Sequence, residues 1–239
     1  MNRLSIIEEN EDFLALNKPS GLLTLPDRFD ESQPSLYHIL RQQYPEIFVV
    51  HRLDRETSGL ILFARNEKAH AYLSQLFEKR QITKVYQGIV LGSLPEPSGR
   101  IEVSLRENPA KPGMMVTARS GKPSVTEYAV IADYGIYSLV EFRIQTGRTH
   151  QIRVHMQSLG HPLACDPVYG DGKPILLSSF KKKYHLSRDE ETERPLFHRV
   201  ALHSYQLGFT GPSSEDFQLT APLPKDFNAL LNQLKKHRG

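Results

Sequence analysis

Phe48-Val49-Val50-His51-Arg52-Leu53-Asp54-Arg55-Glu56-Thr57-Ser58-Gly59-Leu60-Ile61-Leu62-Phe63-Ala64 sets two apolar runs on either side of a charged turn. The runs 48–53 and 60–64 are short, apolar and bounded by polar residues, which reads as strand, turn, strand. Upstream, residues 4–8 and 13–17 form a hairpin pattern around a turn at 10–12, and Lys18-Pro19-Ser20-Gly21 breaks it. Ser35 is placed to cap a helix that runs to Tyr44, before Pro45. Downstream, Asn66 is placed to cap a helix with Ala69, Tyr72, Leu73, Leu76 and Phe77 on one face. Strand-like runs follow at 82–90, 100–105, 114–117, 124–131 and 137–144, then at 200–209 and 217–220. Thr149 is expected to cap a helix through Leu159, closed by Gly160, and a last helix over 225–236 carries Phe227, Leu230, Leu231 and Leu234 as its apolar stripe. Strands mostly following strands, with a few helices between, predict an α+β fold with a largely antiparallel sheet.

The chain has 239 residues, enough for one domain with decorations, so 1–239 is expected to be a single domain. Residues 171–194, polar, charged and weakly periodic, are the best candidate for a surface insertion. Regular βαβ alternation, a G-x-G-x-x-G loop and a Walker loop are absent, which argues against nucleotide cofactors. One cysteine, Cys165, excludes an internal disulfide and a cysteine-rich zinc site and points to a reducing, cytoplasmic compartment. No apolar stretch has the length of a signal peptide or a membrane span, so no membrane role is expected. The net charge of +3, from 30 basic and 27 acidic side chains, identifies no partner by itself. Local clusters matter more: Arg143, Arg148, His150, Arg153 and His155; Lys79, Arg80 and Lys84; and Lys181, Lys182 and Lys183. They suit either a basic nucleic-acid face or an ordinary solvated surface.

Four short segments could carry chemistry. In the 51–59 turn Asp54 lies among arginines, which favour its ionised form, and a fixed carboxylate of this kind can act as a nucleophile at a sugar carbon. From the spacing alone a plain Asx turn with surface ion pairs is the simpler reading. Residues 146–155, Thr-Gly-Arg-Thr-His-Gln-Ile-Arg-Val-His, open a helix whose first N–H groups and Arg148 suit a phosphate, and whose Arg153 can meet a buried carboxylate. In Lys84-Val85-Tyr86 the Lys and Tyr share one strand face, and such a Tyr either stacks on a base or packs in a core. Asn17-Lys18-Pro19-Ser20-Gly21, taken alone, is a turn with a cation and is assigned no chemistry.

Taken in order, N-K-P-x-G, H-R-L-D-R-x-T-S-G-L, K-x-Y, T-G-R-x-H-Q-I-R-x-H and the late Arg199 with Leu202-His203 closely resemble the RluA-type pseudouridine synthases. The resemblance runs from Asn17 to at least His203. It implies isomerisation of a uridine in RNA to pseudouridine: the N1–C1′ bond breaks, the uracil turns, and C5 bonds to C1′, with no cofactor and no metal. It implies a mixed, mainly antiparallel sheet with flanking helices, crossed by an RNA-binding cleft. Asp54 matches the essential aspartate, acting either at ribose C1′ or on the C2′ proton. Tyr86 matches the tyrosine that stacks on the target base; a phenol titrating near ~10 is a poor base at neutral pH, so stacking is its expected main role. Arg153 matches the arginine that pairs with the catalytic carboxylate and holds it ionised. Arg52 matches an arginine that fills the gap left by the flipped uridine, since flipping costs roughly a few kcal/mol of unstacking. Leu202 matches an apolar residue near the base. Arg55, Arg148 and His150 are expected RNA contacts, and Lys18 either shapes the site or touches RNA.

The chain departs from the pattern in two places. Its first motif begins at Asn17, leaving no room for an N-terminal S4 domain, so the catalytic domain itself is expected to grip a short stem-loop of rRNA or tRNA, as a monomer by default. Cys165 stands before Asp166 where the family usually has Gly, and Cys resists the positive φ a Gly there allows. There Cys165 reads as a small buried residue rather than a nucleophile. Two rivals were open to the sequence: a glycosidase using Asp54 with Glu56, which needs two carboxylates about 5 to 10 Å apart, and an RNA-binding protein without catalysis, against which the presence of Asp54, Tyr86 and Arg153 argues.

Overall fold

The computed structural model describes residues 4–27, 30, 32–181, 184 and 192–237. Lys182 and Lys183, and with them most of the third basic cluster and part of the expected 171–194 insertion, lie outside the described residues. The chain forms two compact units, neither a continuous stretch: one holds 1–86, 143–145 and 203–222, the other 87–142, 146–202 and 223–239.

The first unit opens with β1 (Ser5–Glu9) and β2 (Phe13–Lys18), antiparallel, with a register shift between Ile6 and Glu8. The Asn10 side chain closes the turn by accepting from the Asp12 and Phe13 amides at 3.0 and 2.9 Å. Ser35 accepts from the His38 amide and caps α1 (Leu36–Arg41), shorter than the sequence suggested. β3 (Phe48–Val49) and β4 (Ser58–Ala64) pair antiparallel, as do β2 and β4 from Phe13↔Ala64 to Lys18↔Gly59. The expected 48–53 strand is only two residues long for a local reason. The Thr24 hydroxyl donates to the Leu53 carbonyl at 2.9 Å and accepts from its amide at 3.2 Å, so this backbone is satisfied without a sheet partner.

All seven residues of β4 are buried, so both of its faces are covered. One face receives α2 (Glu67–Glu78), capped as expected by Asn66, whose side-chain oxygen accepts from the Ala69 amide at 2.7 Å. Ala69, Leu73 and Leu76 of this helix pack with Phe13, Ala15, Leu60 and Leu62. β5 (Thr83–Leu91) follows and passes from the first unit into the second after Tyr86.

In the second unit β6 (Ser98–Glu102) pairs antiparallel with β9 (Val125–Asp133), and β7 (Leu105–Glu107) with β8 (Met115–Thr117) as a separate ribbon. Strand order there is β5, β10 (Tyr137–Ile144), β9, β6. Helix α3 (Gln151–Ser158) follows. The sequence expected Thr149 to cap it. His150 stands at the cap instead, in the left-handed region at φ 54, with no capping side chain. In the first unit β11 (Leu202–Thr210) lies between β4 and β5, and β12 (Asp216–Thr220) pairs antiparallel with it. The pairing of β4 with β11 is parallel, through His203↔Ser58 and Ser204↔Gly59. The sheet is therefore mixed and mainly antiparallel, as expected. Helix α4 (Lys225–Lys236) buries Phe227, Leu230 and Leu234 against Ile89, Leu139 and Phe197 of the second unit. Among the described residues no helix is long and apolar enough to cross a membrane.

The parallel pairing depends on one glycine. Gly59 has φ +112, and a Cβ built on it would stand 2.2 Å from the Ser204 carbonyl oxygen, backbone that cannot swing aside. Gly59→Ala is therefore expected to lower the unfolding free energy by about 3 kcal/mol or more, combining backbone strain with overpacking. A denaturant midpoint within error of the wild-type value would show that the two strands part easily.

Candidate active site

In the first unit, the charged turn is held from outside. The Thr57 amide donates to the Asp54 carbonyl at 3.1 Å, which closes the turn itself. The Gly21 amide donates to the Arg55 carbonyl at 2.9 Å, and the Ser20 hydroxyl to the Glu56 carbonyl at 2.6 Å. Lys18 is 0 % exposed, and its ammonium donates to the carbonyls of Pro19 (3.0 Å), Leu22 (2.7 Å) and Arg55 (3.1 Å). A buried charge is costly unless fully hydrogen-bonded, and here backbone dipoles do that work. The segment assigned no chemistry from the sequence is thus the clamp of the Asp54 turn, and Lys18 shapes the site.

His51 is fixed by a different interaction. Its Nε2 accepts from the Leu62 amide at 2.9 Å, and its ring stacks on Phe77 at 4.5 Å. An accepting Nε2 requires the neutral ring with the proton on Nδ1. Burial, helped by the Lys84 charge, lowers its pKa to about 3; an edge of the residue still meets solvent, but the ring is surrounded by protein. Lys84 is itself buried, with its pKa lowered by burial and then by Arg80. Its ammonium lies 6.0 Å from the Phe77 ring centre.

Asp54 is half-buried, and Arg52 and Arg55 are exposed. Arg55 donates to the Gly21 carbonyl at 3.1 Å and to Gln33 at 3.3 Å, and lies 3.8 Å from Glu56. Tyr86 is buried. Burial pushes its phenol well above the ordinary value, the Ser204 hydroxyl partly offsets this, and the charge of Asp54 adds to the rise. The phenol therefore keeps its proton at neutral pH. Nearby, His203 is wholly buried and satisfied: Nδ1 meets the Ser58 hydroxyl at 2.9 Å and Nε2 the Ala221 carbonyl at 3.1 Å.

In the second unit Gln151 is the hub of the 146–155 segment. Its Oε1 accepts from the Thr146 hydroxyl at 2.7 Å and the Arg148 amide at 3.1 Å, and its Nε2 donates to the Val125 carbonyl and the Thr126 hydroxyl. The Arg148 amide is thus used inside the protein, while its side chain donates to the Pro123 carbonyl at 3.3 Å. His155 bridges Thr126 and the Val103 carbonyl.

Arg153 does meet a buried carboxylate, that of Asp166. Nε reaches Oδ2 at 2.7 Å and an Nη reaches Oδ1 at 2.8 Å. Burial alone would raise the Asp166 pKa, but Arg153 and the amides of Tyr169 and Val168 hold it below the ordinary value. The guanidinium also lies over Tyr169, 4.9 Å from the ring centre. The Tyr169 hydroxyl accepts from the Met115 amide and meets His150 Nδ1, both at 2.8 Å. Arg199 makes a similar fork to Asp226 at the start of α4, at 2.7 and 2.9 Å, and Leu202 is buried.

Cys165 takes φ 58, the very conformation a Gly would suit, so the turn forms in spite of its side chain. Its thiol is buried and pushed up to about 11, which makes it a poor nucleophile. Sequence reasoning missed Thr24, Gln151, Asp166, Tyr169 and Ser204, whose partners are remote in the chain and unreadable from spacing. Among the described residues no three His, Cys, Asp or Glu side chains gather closely enough to hold a metal ion.

The family described as RNA pseudouridylate synthase matches residues 12–158. A ribosomal large subunit pseudouridine synthase D of Neisseria meningitidis is 36% identical over 99% of this chain, which spans 62% of that protein's length. A dual-specificity RNA pseudouridine synthase RluA of Vibrio vulnificus is 39% identical over 87% of this chain and 78% of its own length. Among solved structures, human RNA pseudouridylate synthase domain containing 1 superposes with a TM-score of 0.67 at 26% identity, over 98% of this chain and 95% of the human one.

Two outcomes test the geometry. The His51 pKa is depressed below the unfolded value of 6.5, so its contribution is complete above that value and is lost as the pH falls toward about 3. Unfolding free energy measured across this window should decline with acidification, and His51→Gln, which keeps an acceptor but cannot titrate, should flatten part of that slope. Lys18→Met removes three charge-assisted bonds and should cost about 2–4 kcal/mol of stability. Hydrogen exchange should show the amides of 53–57 losing protection more than those of α2, and equal loss in both would rule out a local clamp.

Proposed function

The chain belongs to the RNA pseudouridylate synthase family, of the RluA type that its motifs indicate, and we propose that it isomerises a specific uridine in rRNA or tRNA to pseudouridine. Members of this family are isomerases acting on RNA. The observation that carries the reading is the Asp54 turn, fixed from outside by Lys18, Ser20, Gly21 and Thr24 while its carboxylate acts electrostatically on Tyr86 of the same unit. A carboxylate held at one angle is what attack at a sugar carbon, or removal of a proton beside it, requires. Tyr86, kept protonated by burial, offers a ring face for the uracil.

Arg52, exposed and without a hydrogen bond or ion pair among the described residues, is suited to enter the stack in place of the flipped nucleotide. Arg153, which the motif matches to the arginine that pairs with the catalytic carboxylate, is held in one plane within its own unit by Asp166 and Tyr169. Arg55, Arg148 and His150 contact RNA at the rim, and Leu202 packs near the base. Because the chain crosses between its two units inside β5 and β10, residues 1–239 act as one catalytic domain. We place the protein in the cytoplasm, working as a monomer on a stem-loop, without cofactor or metal.

Pseudouridine mapped across rRNA and tRNA from cells with and without the gene tests this directly. One or a few sites should vanish on deletion and return with the wild-type protein. Asp54→Ala should restore none, its activity falling by about a thousandfold or more as removal of a reacting group does. Full restoration by Asp54→Ala would remove the aspartate from the chemistry.

A further inference from the structure

Ser204 lies on β11 at the parallel step against Gly59 and is 0 % exposed. Its hydroxyl is the one buried side-chain polar atom among the described residues without a hydrogen-bond partner in the protein. Removing a hydroxyl from water without a partner costs about 1–3 kcal/mol, so such groups are rare unless they serve a purpose other than stability. Its neighbour on β5, the adjacent strand of the same unit, is the phenol of Tyr86. The two hydroxyls are close enough for Ser204 to act on the phenol, yet the contact falls short of hydrogen-bond geometry.

We propose that Ser204 is a positioning residue for Tyr86: its hydroxyl sets the tilt of the phenol ring against the target uracil. The inference rests on the reading of Tyr86 as the base-stacking residue. The backbone here cannot yield, because the Ser204 carbonyl is pressed against Gly59 and the strand is held by the parallel pair His203↔Ser58. Only the two side-chain torsions that meet between β5 and β11 can adjust, and when uracil covers the ring the phenol moves into alignment with Ser204. The hydrogen bond then forms in the complex rather than in the free protein, which makes it an interaction of the reacting state and of kcat rather than of substrate binding.

This role separates cleanly from a structural one. Deleting an unpartnered buried hydroxyl relieves a desolvation cost, so Ser204→Ala should have a melting midpoint equal to or above the wild-type value. On the RNA site identified by the deletion mapping, its kcat should nevertheless fall about five- to tenfold, the worth of one hydrogen bond, with KM changed less than twofold. A kcat within twofold of wild type overturns the proposal, as does a fall in kcat accompanied by a lower melting midpoint or by a variant that fails to fold, since the hydroxyl would then be structural. A rise in KM with kcat unchanged also overturns it. Wild-type protein that forms no pseudouridine at any mapped site would instead sink the functional reading itself, so the two failures are distinct.

Discussion

A single buried ammonium governs the geometry of the first unit. Lys18 ends β2 and turns inward, where three backbone carbonyls from two separated loops converge on its charge. An ammonium is a compact donor of three hydrogen bonds, and three backbone carbonyls accept from it here. Its positive charge is thereby buried under the turn. The same interaction orders the loop after β2, whose Ser20, Gly21 and Thr24 then reach the turn at Leu53, Arg55 and Glu56.

The second unit reaches rigidity by another route. Gln151 uses both ends of its amide, and Thr146, Val125, Thr126 and His155 form a fully paired polar network under α3. The Gln151 side chain ties the segment before the helix to its first residue, while His150, left-handed, provides no capping bond. The network fixes the helix start, and the helix aims Arg153 at Asp166, whose Oδ1 also accepts from the amides of Val168 and Tyr169. A fork of this kind holds a guanidinium in one plane.

What the sequence made legible follows range in the chain. The Asn66 cap, the end of β2, the α4 stripe and the strand-like run of β10 are local, and each is written within about a turn of helix or a few strand residues. Thr149 is not the cap because the helix begins one residue later, after His150 in the left-handed region. The 48–53 strand was overestimated because its apolar character reflects burial, while its hydrogen bonds go to Thr24, 29 residues away. Cys165 is the converse: the motif correctly marked a position with positive φ, and the side chain did not prevent it. The motifs named the residues of the candidate site, but the supports that hold them span 13 to 37 positions and come from chain folding alone.

Those supports also explain why one motif was mute. A Lys in a turn followed by Pro, Ser and Gly has no chemistry of its own, because its function is to be buried and hydrogen-bonded to backbone elsewhere. Burial of that charge is tolerable only when all its acceptors are present together, so the Lys, the small residues after it and the Asp54 turn form one cooperative unit. Tyr86 lies on β5 in the same unit, with its acidity set by burial first and by Asp54 last. Under the proposed function this pair would divide the labour within the unit: charge for the sugar, an uncharged ring face for the base. The ring face needs no titration near neutral pH, since desolvation keeps the proton on the phenol.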